Sequence, residues 1–357
     1  MLPIEKLCQK ISGKCECALI TNGINRRYFT SMKSSAGTLV VFPEKAYLII
    51  DFRYIEKARK TAKGCEVIMQ KAGGGIYGQI DELCTKHGVK TINIEAESVT
   101  VSQFEDYKNK LKEEIISDNT LSKIVEEIRL VKSDDEISRI IQAQRIAEKG
   151  FEHMLEFIRP GVTEKEIQLE LDFFMLKNGA ESLSFDTIAL SGKNTSLPHG
   201  VPSDKKVEKG EFVLLDFGAV VEGYHSDMTR TVSVGRPTEE MEKVYNIVLE
   251  AQLAALEKVK AGLTGSEYDK IARDVIEKAG YGENFGHSLG HGVGMEIHEP
   301  PYGGVSSEDI LCENSIITVE PGIYLEDKFG VRIEDFVVIG KNDCKNMTKA
   351  EKQLIVL

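Results

Sequence analysis

The sequence predicts an α+β protein in two parts: a smaller α/β domain over residues 1–128 and a larger domain over residues 129–357 made of two similar halves. Three observations predict it. In the first third, short runs rich in Val, Ile and Leu alternate with helical patterns. The remainder reads helix, helix, strands, and then repeats that order. The joints inside the two helix pairs also look alike, "RPGVTEKEI" (159–167) and "KAGLTGSEY" (260–268), each a glycine turn followed by a threonine N-cap.

In chain order, "CALIT" (17–21), "TLVVF" (38–42), "AYLIID" (46–51), "CEVIMQ" (65–70) and "TINIE" (91–95) read as strands. "YIEKARKTA" (54–62) and "YGQIDELCTKHG" (77–88) read as helices between them. From 101 to 130 the pattern is helical and charged, which places the domain boundary near residue 128. Ser133 followed by Glu136 is a capping box that opens the next helix. Helices are expected over roughly 133–158, 163–178, 238–259 and 264–279. Strands are expected over about 185–234 and 286–340.

The bulk numbers narrow the function. A chain of 357 residues, 41% hydrophobic and 29% charged, has ample material for two cores. A net charge of −12 argues against nucleic acid or an anionic membrane as partner. No run of eighteen apolar residues exists, and "MLPIEKLCQKISGK" lacks the apolar stretch of a secretory leader, so a cytoplasmic protein is expected. The seven scattered cysteines then read as free thiols.

Chemistry enters with "EFVLLDFGAVVEGYHSDMTRTVSV" (211–234), two strand-like arms around a turn, with Asp216 on one and Asp227 on the other. The second half has a counterpart, "SIITVEPGIYLEDKFGVRIEDFVVI" (315–339), with Glu320 and Glu334. Between them lies the histidine-bearing "GHSLGHGVGMEIHEPP" (286–301). Should both hairpins face one centre, four carboxylates converge with at least one imidazole. Two bare carboxylates about 4 Å apart repel by roughly 4 kcal/mol at an effective dielectric near 20. Four do not stay ionised together without cations, and two divalent ions balance them. An oxygen-rich shell with an imidazole suits Mn²⁺, Co²⁺ or Zn²⁺.

These segments, together with "PHG" (198–200), "VEPGIY" (319–324) and "GVRIEDFVVI" (330–339), resemble the Xaa-Pro peptidases aminopeptidase P and prolidase, of the pita-bread metallopeptidase family. The stretch 26–58 is similar to the amino-terminal domain of that branch, so the resemblance spans nearly the whole chain. It implies a non-catalytic amino-terminal domain and a pita-bread catalytic domain with an internal pseudo-twofold duplication. It also implies five metal ligands, Asp216, Asp227, His291, Glu320 and Glu334, with Asp227 and Glu334 bridging two ions, Mn²⁺ first. On the same ground Glu320 is the proton shuttle, and His199 and His298 steady the substrate carbonyl. His287 and Tyr324 belong to the substrate pocket, and Arg332 orients Asp216 or Tyr324. The expected reaction is hydrolysis of the bond between an amino-terminal residue and a following proline, with a homodimer as the working form. That bond has no N–H and a fixed φ, so proteases that grip an extended backbone handle it badly. Aminopeptidase P activity is the first expectation and prolidase, restricted to dipeptides, the alternative; a non-catalytic peptide-binding protein on the same fold is more remote.

Plainer readings compete for single residues. His287 and His291 are four apart, but their segment is too glycine-rich for a helical zinc pair and lacks the glutamate of HExxH. His225 is read as structural, beside Asp227, and His87 and His153 as helix-surface residues. Gly73, Gly75 and Gly78 match GxGxxG, with Glu95 placed like a ribose-binding acid. The similar amino-terminal domains bind no nucleotide, so the segment is read as a flexible loop over or beside the active site.

Overall fold

The computed structural model describes residues 1–73 and 75–357. The chain forms two compact units, Met1–Arg129 and Leu130–Leu357.

In the first unit β1 (Ala18–Ile20), β2 (Thr38–Phe42), β3 (Lys45–Ile50), β4 (Glu66–Met69), β5 (Thr91–Ile94) and β6 (Glu114–Ile116) form one sheet in the order β4-β3-β2-β1-β5-β6. The pairs β3–β4, β1–β5 and β5–β6 are parallel, whereas β1–β2 and β2–β3 are antiparallel. Helices α2 (Gly23–Thr30), α3 (Ile55–Thr61), α4 (Ile76–His87) and α5 (Val101–Lys110) connect them, with α1 (Pro3–Ile11) before the first strand and α6 (Thr120–Leu130) after the last. No element is expected from sequence at 3–11, yet Ile4, Leu7 and Ile11 recur at helical spacing and are fully buried. Strand β6 interrupts a segment read as helical, because three residues at a sheet edge are too few to reveal a period of two.

The nucleotide-loop pattern dissolves here. Gly78 lies inside α4 and Gly75 caps it, while Gly74 lies outside the described residues. The Glu95 carboxylate is already occupied: Thr21 N (2.7 Å) and Asn22 N (2.9 Å) donate to Oε2, and Asn25 Nδ2 (2.8 Å) donates to Oε1. It fixes the start of α2. His87 is no surface residue either; its ring stacks on Phe42 at 4.0 Å and meets the Tyr47 hydroxyl at 3.0 Å. His153 is half-buried, stacked on Phe174 at 4.5 Å with Nε2 2.6 Å from Glu170.

The second unit repeats one plan. Helices α7 (Asp134–Phe157) and α8 (Glu164–Lys177) precede β7 (Ser182–Leu183), β8 (Ile188–Ser191), β9 (Glu211–Phe217), β10 (Ala219–Val221), β11 (Tyr224–His225) and β12 (Met228–Val234). Then α9 (Glu239–Lys258) and α10 (Gly265–Lys278) precede β13 (Gly290–Gly292), β14 (Glu299–Gly303), β15 (Ile316–Val319), β16 (Gly322–Leu325), β17 (Phe329–Arg332), β18 (Asp335–Ile339) and β19 (Cys344–Asn346). Ser133, Thr163 and Thr264 each close a capping box, with Glu136, Glu166 and Glu267. The joints before α8 and α10 turn at Gly161 (φ 94°) and Gly262 (φ 92°), where only glycine is unstrained.

Each half has its own core. Phe151, Leu171 and Met175 of α7 and α8 pack with Val213, Leu215 and Phe217 of β9. Tyr245, Val248 and Tyr268 of α9 and α10 pack with Ile317, Val319 and Val337. Because strand side chains alternate, Val213, Leu215 and Phe217 of β9 enter its core and Asp216 faces away, opposite Thr229. Thr318 of β15 faces away from the second core in the same manner.

Candidate metal centre and active site

Both long hairpins are interrupted at corresponding places. The β9–β12 ladder ends at Phe217↔Met228 and pairing resumes as β10–β11. The β15–β18 ladder ends at Val319↔Asp335 and resumes as β16–β17. Asp227, Glu320 and Glu334 sit in these breaks, with Asp216 one residue inside the end of β9. A carboxylate in a break leaves the ladder and turns inward without costing a strand hydrogen bond. The hairpins meet there, with Glu334 N donating to Thr229 O (3.1 Å) and the Thr231 hydroxyl to Arg332 O (3.0 Å).

The result is a cavity of about 810 Å³, with Asp216, Asp227, His291, Glu320 and Glu334 on its wall. One donor atom each from Asp227, His291 and Glu334 lie within 4.8 Å of one another. His291 Nε2 is 3.4 Å from Glu320 Oε1 and 3.6 Å from Asp227 Oδ2. Its Nδ1 faces Gly292 O at 3.1 Å, which suits a proton on Nδ1 and leaves the Nε2 lone pair to the centre. One oxygen of each of three carboxylates is tied down. Thr229 donates to Glu334 Oε2 (2.7 Å), Thr318 to Glu320 Oε1 (3.1 Å) and Arg332 Nη2 to Asp216 Oδ2 (2.5 Å).

The remaining oxygens test whether cations fit. Asp216 Oδ1, Asp227 Oδ1 and Glu334 Oε1 are buried without a protein hydrogen-bond partner. Each such atom costs roughly 1–3 kcal/mol if left unsatisfied. Burial, and then the neighbouring carboxylates, push Asp227 and Glu334 far above the ordinary carboxylate range. Burial raises Glu320 to about 8, with Asp216 adding to it against the pull of Arg332. Burial lowers His291 to about 4, so its imidazole is neutral and a competent ligand. Uncompensated carboxylates, orphaned oxygens and a neutral imidazole in one cavity are what divalent cations satisfy, and the residues present fit them.

The other expected residues divide into wall and support. His199 and His298 are solvent-accessible at the cavity, and the His298 ring lies 4.3 Å from that of His291. His287 is on the wall, lowered to about 4 by burial and then by Arg332. Arg332 also lines the cavity, donating to Asp216, to the Tyr324 hydroxyl (2.7 Å) and through Nε to Thr229 (3.1 Å). Tyr324, expected in the pocket, stands behind the wall; its hydroxyl is taken by Arg332 and by His287 Nε2 (2.9 Å). His225 is off the wall, its backbone N donating to Gly294 O. Thr229 and Thr318 were not singled out from sequence, and neither were Lys165 and Phe185 on the wall. The one signal for the threonines was spacing, two residues after Asp227 and two before Glu320.

Comparison with known proteins agrees with this architecture. Residues 138–341 match the model for metallopeptidase family M24, and residues 4–131 that for the creatinase/prolidase N-terminal domain. A Xaa-Pro dipeptidase of Pyrococcus furiosus is 39% identical over 99% of both chains. The structure of a Xaa-Pro dipeptidase from Bacillus anthracis superposes with a TM-score of 0.95 at 44% identity, covering 99% of each chain. That of an X-Pro aminopeptidase from Thermotoga maritima gives 0.91 at 39% identity, covering 100% of each.

Proposed function

The chain belongs to metallopeptidase family M24, and we propose that it hydrolyses the peptide bond in front of proline, with Xaa-Pro dipeptides as its substrate class. The observation that carries the chemistry is the convergence of Asp216, Asp227, His291, Glu320 and Glu334 in one cavity with three buried carboxylate oxygens left over. Support for the dipeptide comes from the relatives of equal length that bear the name Xaa-Pro dipeptidase. The aminopeptidase reading, first from sequence, keeps the support of the Thermotoga maritima structure.

Two divalent cations held by these five residues, Mn²⁺ first, would supply charge balance, Lewis acidity and an acidified water. Asp227 and Glu334 come from different hairpins and would be shared between the two positions, with Asp216 completing one and His291 and Glu320 the other. The Glu320 carboxylate accepts the proton of the attacking water and delivers it to the proline nitrogen, which has no N–H of its own. His199 and His298 donate toward the carbonyl oxygen as charge develops on it. Arg332 fixes Asp216, and His287 bounds the proline side. The amino-terminal domain takes no part in the chemistry; all the groups assigned here belong to the second unit. A cytoplasmic homodimer is proposed from the resemblance, and a monomer mass in light scattering would refute the dimer.

The test compares a Xaa-Pro dipeptide with Xaa-Pro-Yaa-Yaa, using Mn²⁺-loaded protein. Preferential turnover of the dipeptide supports the proposal, and preference for the tetrapeptide returns the reading to the aminopeptidase. Failure on both, with the cation bound, sinks it.

A further inference from the structure

His298 is followed by Glu299, which opens β14 with its side chain turned inward, 6% exposed. There it meets Lys132, whose side chain is 1% exposed, at 2.8 Å. A buried ion pair is a poor way to gain stability, because an apolar pair of similar volume serves as well or better. Its placement suggests what it does instead.

The Glu299 carboxylate sits inside the curve of the loop 293–298 that links His291 to His298. Glu296 N donates to Oε2 at 3.3 Å. The loop folds so closely over the carboxylate that a Cβ on Gly294 would lie 2.2 Å from Oε1. Lys132 is anchored in turn: its N donates to Asn314 O (2.9 Å), Asn314 N donates to Ile339 O (2.8 Å), and Nζ donates to Leu130 O (3.2 Å). The pair thus ties a short loop to the end of β18. With Gly294 in it and Gly292 just before it, that segment has wide conformational freedom of its own. A charged, directional, desolvated contact selects one arrangement where an apolar plug selects none.

We propose that the Lys132–Glu299 ion pair is a positioning device for His298: it holds loop 293–298 so that the His298 imidazole keeps its place against that of His291 at the cavity. Neither residue lines the cavity, so neither touches substrate. The proposal rests on His298 serving the peptidase reaction.

The decisive variant is the double change Lys132→Met with Glu299→Met, which leaves no orphaned charge. Its unfolding midpoint is expected near that of wild type, above Lys132→Met alone. Its kcat on a Xaa-Pro dipeptide is expected to fall about 10–100-fold, the usual consequence of a displaced catalytic group, with KM within twofold and Mn²⁺ stoichiometry unchanged. Lys132→Arg, keeping the charge, should retain most of kcat. Without substrate or metal, the imidazole ¹H–¹⁵N signals of His298 should broaden or split in the double variant and stay single in Lys132→Arg. Wild-type kcat in the double variant overturns the proposal, and so does a kcat loss that merely tracks lost Mn²⁺. Should the double variant not fold, Glu299→Gln is read by the same criteria. A wild-type protein inactive on every Xaa-Pro peptide refutes the peptidase reading instead, and the imidazole signals then decide the positioning proposal alone.

Discussion

Arg230 is 1% exposed, and its guanidinium stands where the two hairpins meet. Nη1 donates to Thr229 O (2.9 Å) and Glu334 O (2.5 Å), Nη2 to Asp335 Oδ1 (2.7 Å) and Ala350 O (2.8 Å), and Nε to Glu351 O (2.8 Å). Arg230→Met keeps the bulk and removes all five bonds. At roughly 1 kcal/mol net for each, the loss is about 5 kcal/mol; breaking a buried ion pair gives a similar ~3–5 kcal/mol. The lower end applies, because Asp335 Oδ2 keeps Lys352, Gln252 (2.9 Å) and Asn346 (2.6 Å). About 3 kcal/mol in a unit of this size lowers Tm by roughly 6–12 °C. Arg230→Lys keeps the charge but not the planar fork and should recover less than half of that. Because Arg230 also holds the carbonyl of Glu334, divalent affinity should fall by about 10–100-fold, as for other residues that orient ligands. Circular dichroism on urea and thermal unfolding of the metal-free protein measures the first effect, and Mn²⁺ titration the second. A stability loss below about 1 kcal/mol, or full recovery in Arg230→Lys, would refute the claim that the fork joins the hairpins.

Three further outcomes are expected. Asp227→Asn, at a position shared between the proposed cations, should lower Mn²⁺ stoichiometry and cost more affinity than the roughly 10–100-fold of an outer partner; full metal content with full turnover contradicts the ligand assignment. Lys165 and Arg332 are the two Lys/Arg side chains on the cavity wall; Arg332 is engaged by Asp216 and Tyr324, whereas Lys165 Nζ donates to the neutral amide oxygen of Gln168 (2.8 Å), which leaves its charge to meet a free carboxylate. Lys165→Met should therefore raise KM for a Xaa-Pro dipeptide about tenfold, some 1.4 kcal/mol, and leave its carboxamide unchanged; equal shifts for both would exclude this role. Burial raises the Glu95 carboxyl above its ordinary value against its three hydrogen-bond donors. The folded chain then holds that proton more tightly than the unfolded one, so the associated stability is complete below about pH 4.3 and fades as pH rises through the raised folded value. Glu95→Gln should flatten the stability slope just above pH 4.3, and identical slopes for the two proteins would contradict this.

How much of this could be read in the sequence depended on whether a residue breaks its local pattern. Asp216, Asp227, Glu320 and Glu334 are visible because carboxylates are out of place in apolar strands, and the repeated helix pairs frame them through Thr163 and Thr264. Thr229 and Thr318 orient two of those carboxylates yet stay hidden, since threonine is an ordinary strand residue. Tyr324 is expected in the pocket from the resemblance alone, whereas hydrogen bonds to Arg332 and His287 hold it behind the wall. Arg230 and Lys132 carry no mark of burial in the sequence, because the groups that bury them arrive from about 120 and 167 residues further along. The division has a physical basis. A ligand must violate the pattern of its strand, since its task is to hold a charge where a sheet wants none. The residues that make that violation tolerable need only their ordinary donors, aimed by contacts distant in sequence. The charged centre is therefore conspicuous in one dimension, and its support emerges only when the two hairpins are brought together.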